Sequence, residues 1–126
     1  MIFIANDTPM EAEAERSISE AAFDGRLHVS PMSAWEIGKG VSKGRLSLPI
    51  SPVEFFSRFL ARMEARLCAL SPEILIESSY LPGEPHNDPM DRILMASARM
   101  LDMILVTRDE PILKYGEKGH LRALAC

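Results

Sequence analysis

The sequence has 126 residues, of which 47% are hydrophobic and 25% charged, and its formal net charge is −4. This length suits one domain with a core of its own, and we expect a single domain over residues 1–126. The composition excludes a disulfide scaffold, a collagen-like repeat and a low-complexity chain, and the negative charge argues against binding nucleic acid by overall electrostatics.

Helices and short strands are predicted to alternate along the chain. The predicted helices cover residues 9–23, 30–43, 52–63, 71–80, 88–101 and 109–116. The predicted strands cover residues 27–30, 67–70, 103–106 and 121–125. This alternation favours right-handed crossovers and a parallel sheet covered on both faces. We therefore predict an α/β fold with three α/β/α layers around a central, mainly parallel sheet.

The apolar residues occur in short runs, far below the roughly 20 that a membrane-spanning helix needs. The chain does not start with a basic segment followed by an apolar one, so no secretory signal is predicted. Cys68 and Cys126 form no CxxC motif and are expected to be reduced thiols. These features predict a cytoplasmic protein without membrane contact.

Three acidic residues lie at or near the start of predicted helices. Glu36 is in the helix after the first strand, Asp91 is in the helix that begins at Asp88, and Asp109 directly follows the third strand. Each has a structural explanation. Ser33 and Glu36 have the spacing of a capping box, whereas Asp91 and Asp109 suit the positive end of a helix dipole or a helix cap.

The predicted topology also allows these acids to meet. Glu36 and Asp109 follow strands whose carboxyl ends share one sheet edge, where open α/β sheets bind ligands. Asp91 reaches that edge only if the loop at 81–87 returns the chain to it. Three carboxylates without cysteine or paired histidine favour Mg²⁺ or Mn²⁺, and such ions support phosphodiester hydrolysis.

Four segments resemble one family in their order and approximate spacing. They are Ser-Ala-Trp-Glu-Ile at 33–37, Lys-Gly-Arg-Leu-x-Leu-Pro at 43–49, Asp-Pro-x-Asp-Arg-Ile at 88–93 and Val-Thr-Arg-Asp-Glu at 106–110. Together they resemble the PIN-domain ribonucleases of the VapC type, from residue 9 onward.

This resemblance implies a metal-dependent endoribonuclease that is the toxin of a type II toxin–antitoxin pair. It implies that Glu36, Asp91 and Asp109 form the catalytic acidic site that holds Mg²⁺ or Mn²⁺, with Thr107 as a polar neighbour. It also implies an RNA substrate, an antitoxin protein as partner and a homodimer.

The start of the chain departs from the family pattern. The family begins with an apolar strand that ends in Asp-Thr, whereas Pro9 and an Ala/Glu-rich segment directly follow Asp7 and Thr8 here. Counting back from Glu36 aligns Asp7 with a later turn, so we expect the first strand and its metal-binding Asp to be missing. In the alternative alignment Asp7 is the fourth ligand. A second function stays open, a catalytically impaired module that binds an antitoxin or RNA.

The remaining candidates concern RNA binding and the surroundings of the acids. Lys39, Lys43 and Arg45 lie on or just beyond the helix of Glu36, and we predict that they hold RNA beside the carboxylates.

Two aromatic side chains near the acids receive structural interpretations. Trp35 is interpreted as a core anchor, because the nearby helix positions Ile37 and Val41 are apolar. His86 is in the loop just before Asp88, from which it can approach the site, but we favour its interpretation as an incidental exposed residue.

Overall fold

A computed structural model describes residues 12–126. They form two compact units, one of residues 17–69 and the other of residues 12–16 and 70–126. The single domain stays a prediction. The alternatives for the start of the chain, a missing first strand or Asp7 as a ligand, concern residues outside the described ones.

The 17–69 unit holds one pair of short strands and the helices between them. Helix α1 (Ala12–Phe23) is shared between the two units, and β1 (His28–Val29), α2 (Met32–Ser42), α3 (Pro52–Met63) and β2 (Arg66–Leu67) follow. Strands β1 and β2 pair in parallel, with Val29 opposite Leu67. Strand β2 begins one residue before the predicted strand at 67–70 and is only two residues long, and both of its residues are exposed.

Helix α2 begins earlier than a capping box at Ser33 requires. Its N-cap is Pro31, whose φ of −55° is already helical and whose side chain makes no cap hydrogen bond. Ser33 therefore lies inside the helix, where it is buried. The predicted capping box between Ser33 and Glu36 is wrong, because proline favours helical φ and moves the start of the helix forward.

The buried face of α2 is formed by Ile37, which is 1% exposed, whereas Trp35 is 50% exposed. Residues two positions apart in a helix point to nearly opposite sides. The interpretation of Trp35 as a core anchor is therefore wrong.

The 70–126 part of the second unit contains α4 (Pro72–Glu77), α5 (Pro89–Met100), β3 (Leu105–Thr107), α6 (Glu110–Glu117) and β4 (Ala123–Ala125). Strands β3 and β4 pair in parallel, with Thr107 opposite Ala125. The core contains Ile74 of α4, Met95 of α5 and Ile112 of α6, all at most 1% exposed. This core fixes the start of α5 and the end of β3, which carry two of the predicted site residues.

The order and type of these elements agree with the predicted α/β alternation. The described strands form one two-stranded parallel sheet in each unit. None of the helices in residues 12–126 combines the length and the apolar character needed to cross a membrane.

Candidate metal site

The start of α5 places Asp91. Asp88 caps this helix, because its Oδ1 atom accepts hydrogen bonds from the backbone N–H groups of Met90 at 2.8 Å and Asp91 at 3.3 Å. Pro89 follows in the first turn, where its missing N–H costs no helical hydrogen bond. Asp88 is thus occupied as a cap, and the carboxylate of Asp91 lies in the first turn of the helix.

The junction of β3 and α6 places Asp109. Its Oδ1 atom caps α6 by accepting the N–H of Ile112 at 3.0 Å, which agrees with the cap expected at this position. Its own N–H donates to the hydroxyl oxygen of Thr107 at 3.0 Å. Thr107 is fully buried, so this contact connects Asp109 to a residue that is fixed in the core at the end of β3. The second carboxylate oxygen, Oδ2, takes no part in the cap and faces His86.

The loop between α4 and α5 brings a third side chain to these two acids. The Nε2 atom of His86 lies 3.5 Å from Oδ2 of Asp91 and 3.9 Å from Oδ2 of Asp109. One ligand atom from each of the three residues lies within 4.8 Å of the others. The interpretation of His86 as a residue without a place in the site is therefore wrong.

The three side chains are partly shielded from water. Their exposed fractions are 26% for His86, 22% for Asp91 and 29% for Asp109. The guanidinium group of Arg92 stabilises the loop that carries His86, since it donates to the carbonyl oxygens of Ser78 at 2.8 Å and His86 at 3.4 Å. A partly shielded group of this kind binds a cation more strongly than fully hydrated carboxylates do.

The residues present fit a hard divalent cation. Asp91 and Asp109 offer carboxylate oxygens at close spacing, and the cap on α6 orients the Asp109 carboxylate. Mg²⁺ prefers oxygen ligands, is often held by one or two carboxylates and keeps several of its waters. The donor set of the site is therefore sufficient for an ion of this class.

Comparison with known families identifies the fold around this site. The PIN domain family matches residues 1–118, which is most of the chain. The chain belongs to the PIN domain family. PIN domains have a three-layer α/β/α fold, so the predicted fold class is confirmed, and they are generally metal-dependent nucleases. A search of curated proteins and a search of solved structures gave no match to the chain.

The other predicted site residues of this PIN domain lie in the 17–69 unit. Glu36 is on the exposed side of α2, and its membership of the metal site stays a prediction. Lys39 is also on α2, whereas Lys43 and Arg45 follow the helix, and all three are exposed. The Nζ atom of Lys39 lies 4.5 Å from the centre of the Trp35 ring, a cation–π contact.

Sequence reasoning considered His86 but favoured an incidental role, although a local signal for its place in the site was present. The residue lies two positions before the helix cap Asp88, and the backbone N–H of Asp88 donates to its Nδ1 atom at 2.9 Å. A side chain two residues before a cap can form such a turn-like hydrogen bond, which directs the ring toward the helix start. The sequence His-Asn-Asp-Pro at 86–89 therefore carries part of this arrangement.

Proposed function

We propose that this PIN domain is a metal-dependent endoribonuclease of the VapC type, which hydrolyses RNA phosphodiesters as the toxin of a type II toxin–antitoxin pair. The observation that carries the proposal is the approach of the Asp91 and Asp109 carboxylates to within 4.8 Å in a partly shielded site. The order of the four family-like segments supports the narrower VapC assignment.

In this proposal Asp91, Asp109 and Glu36 hold Mg²⁺ or Mn²⁺. When bound, the ion supplies an activated water and neutralises charge on the leaving oxygen. The cap on α6 holds Oδ1 of Asp109 and so orients the whole carboxylate. Thr107 acts on Asp109, since its hydroxyl oxygen accepts the N–H of that residue and so orients the carboxylate.

The proposed RNA-binding residues are Lys39, Lys43 and Arg45. All three are exposed at or beyond the end of α2, the helix that carries Glu36. The segment from Ile37 to Val53 contains no acid, so these cations form a local positive region in a chain with net charge −4. Cations spaced along a segment can neutralise successive RNA phosphates.

The proposed partners are a small antitoxin protein and a second copy of the chain, and the proposed location is the cytoplasm, where RNA substrate and antitoxin are made. The support for these partners is the family resemblance. The unit with Asp91 also exposes apolar side chains, among them Ile76 at 60% and Tyr80 at 73%. Exposed apolar side chains of this size are available for contact with a partner protein.

A catalytically impaired module that binds an antitoxin or RNA is the alternative function. The observation that favours it is the departure of the sequence from the family pattern around Asp7, where the Asp-Thr pair is followed at once by Pro9. A PIN domain with fewer carboxylates would bind a hard cation more weakly.

Cleavage of single-stranded RNA by the purified chain tests the proposal. We expect products with Mg²⁺ or Mn²⁺, none with EDTA, and at least a 100-fold lower rate for Asp91→Asn. The matched control is Asp102→Asn, since the Asp102 side chain is 92% exposed and lies outside the metal-site group. RNA binding without cleavage would favour the alternative, and equal rates for both variants would contradict the site.

The role of the basic residues is tested in the same assay. We expect Lys43→Ala to weaken RNA binding and to lower the slope of log affinity against log salt by about 0.7, the value of one single-strand phosphate contact. Arg58→Ala is the control, because Arg58 is already paired with Glu54 at 2.6 Å. An unchanged salt dependence for Lys43→Ala would contradict the proposed contact.

A further inference from the structure

The hydrogen bond that His86 accepts determines where its ring carries a proton. The backbone N–H of Asp88 points at Nδ1 over a distance of 2.9 Å. A backbone amide can only donate, so Nδ1 must be the unprotonated, accepting nitrogen. The remaining proton of the ring is then on Nε2, and it is this nitrogen that faces the carboxylates.

This arrangement is poorly suited to a metal ligand. Coordination through Nε2 requires a lone pair on that nitrogen, and a metal-binding histidine then carries its proton on the other nitrogen. A proton on Nδ1 would face the N–H of Asp88, so two donors would oppose each other. The hydrogen bond to Asp88 would have to break before His86 could bind a metal.

The same ring is well placed to act on both carboxylates. Its Nε2 atom is nearer to Asp91, at 3.5 Å, than to Asp109, at 3.9 Å, and it faces the Oδ2 atom of each. Carboxylates that bind metals are commonly held by hydrogen bonds from neighbouring groups. An N–H group between two crowded carboxylates also reduces their mutual repulsion.

The position of the ring is connected to the helix that carries Asp91. Asp88 donates its N–H to His86 and, through Oδ1, caps the N–H groups of Met90 and Asp91. Arg92 holds the main chain of His86 from the same helix. A short chain of hydrogen bonds thus fixes the position of the His86 ring relative to the Asp91 carboxylate.

We propose that His86 is a positioning residue that directs its Nε2–H at the Asp91 and Asp109 carboxylates and does not bind the metal. The inference rests on the proposed function, because it assigns these two acids to a divalent ion. It follows that the ligands are oxygen atoms alone. Such a set favours Mg²⁺ and Mn²⁺, whereas a nitrogen ligand would favour Zn²⁺.

Two substitutions of His86 test the roles of the two ring nitrogens separately. In His86→Gln the amide N–H reaches approximately the place of Nε2, so the donor to the carboxylates is kept. In His86→Asn the shorter side chain can still accept the N–H of Asp88, but its amide cannot reach the carboxylates. Thermal melting of both variants establishes that they fold.

Calorimetric titration with Mn²⁺ measures the effect of each change. We expect His86→Gln to bind within about threefold of the wild type, and His86→Asn to bind about 10-fold more weakly, the lower end for the loss of a group that supports a ligand. Equal losses in both variants, together with a wild-type preference for Zn²⁺ that both variants lose, would overturn the proposal.

The protonated nitrogen is observed directly in long-range ¹H–¹⁵N spectra, where the His86 signals are those absent from His86→Gln. At pH about 8 we expect Nε2–H both without metal and with saturating Mg²⁺. A change to Nδ1–H with metal, or Nδ1–H in the metal-free protein, would overturn the proposal.

Failure of the proposed function can be distinguished from failure of the inference about His86. If the wild type binds neither Mg²⁺ nor Mn²⁺, the assignment of the metal site is wrong. The metal-free spectrum and the relative stabilities of the Gln and Asn variants then decide whether His86 directs its Nε2–H at the two acids. A wild-type ring with Nδ1–H would exclude it.

Discussion

The hydroxyl oxygen of Thr107 accepts a hydrogen bond from the backbone N–H of Asp109 at 3.0 Å. Thr107 is the last residue of β3 and is fully buried, whereas Asp109 lies outside the strand and caps α6. The contact therefore transmits the fixed position of the strand to a carboxylate at the edge of the core. Thr107 is not itself a predicted metal ligand, but through this contact it determines how Asp109 is held.

Replacing Thr107 tests this relationship. In Thr107→Val the side-chain shape is kept but the N–H of Asp109 loses its acceptor, which should lower the free energy of unfolding by about 1–3 kcal/mol. Thr107→Ser keeps the hydroxyl and loses one methyl group, at about 1 kcal/mol. Urea unfolding gives these values. We also expect Ser but not Val to retain stabilisation by Mn²⁺, and equal retention in both would contradict a positioning role.

Stability that depends on metal is the second prediction. An ion that binds only the folded state raises its stability, by about 2.7 kcal/mol at a concentration 100-fold above the Kd. We expect millimolar Mg²⁺ or Mn²⁺ to raise the melting temperature, and Asp91→Asn and Asp109→Asn to reduce this rise. Asn is a good helix cap, so Asp109→Asn removes the charge without removing the cap on α6.

The control for these variants is Asp102→Asn. Asp102 has a φ of 52°, a conformation that Asn adopts readily, and its carboxylate pairs with Arg122 on the surface at 2.9 Å. We expect the full metal effect in this variant.

Glu36→Gln tests the third predicted ligand, and a metal effect of wild-type size would remove Glu36 from the proposed site.

Gly83 occupies a position that a side chain would strain. Its φ is +70°, and a Cβ atom added there would lie 2.7 Å from Nε2 of His120. We expect Gly83→Ala to lower the free energy of unfolding by about 1–2 kcal/mol from the backbone alone, with a further cost from the contact. In a His120→Ala background the further cost should disappear, and an identical cost in both backgrounds would show that the contact contributes nothing.

The raised pKa of Tyr115 predicts a change of stability at alkaline pH. Its side chain is buried and its hydroxyl donates to the carbonyl oxygen of Pro82. Burial raises the pKa of Tyr115 above its ordinary value of 10.0, against the opposing charges of Arg99 and Arg92. The unfolded chain therefore loses this proton at lower pH than the folded chain, so the contribution to stability is complete below pH 10 and decreases as pH rises further.

Unfolding in urea at several pH values above and below 10 measures this effect. We expect Tyr115→Phe to be less stable than the wild type at the lower pH, because a hydrogen bond is lost, and to lose less stability as the pH rises. Tyr80→Phe is the control, since Tyr80 is 73% exposed. If Tyr115→Phe and the wild type lose stability equally, the hydroxyl does not titrate as predicted.

The sequence by itself determined the alternation of helices and strands, the starts of α3, α4 and α5 to within about one residue, and the cap at Asp109. These features depend on neighbours within four residues: a capping side chain, a proline in the first turn, or apolar residues at helical spacing. The ordered segments also indicated a PIN domain, which the match over residues 1–118 confirms.

Only the tertiary structure decided what meets at the site. His86 and Asp109 are 23 positions apart in the sequence, and the loop geometry and packing of α5 and β3 bring their side chains together. The same limit explains Trp35, because helical spacing shows which residues share a face but not which face the rest of the protein covers. Local spacing therefore determined the elements, whereas long-range packing determined the chemistry that they place side by side.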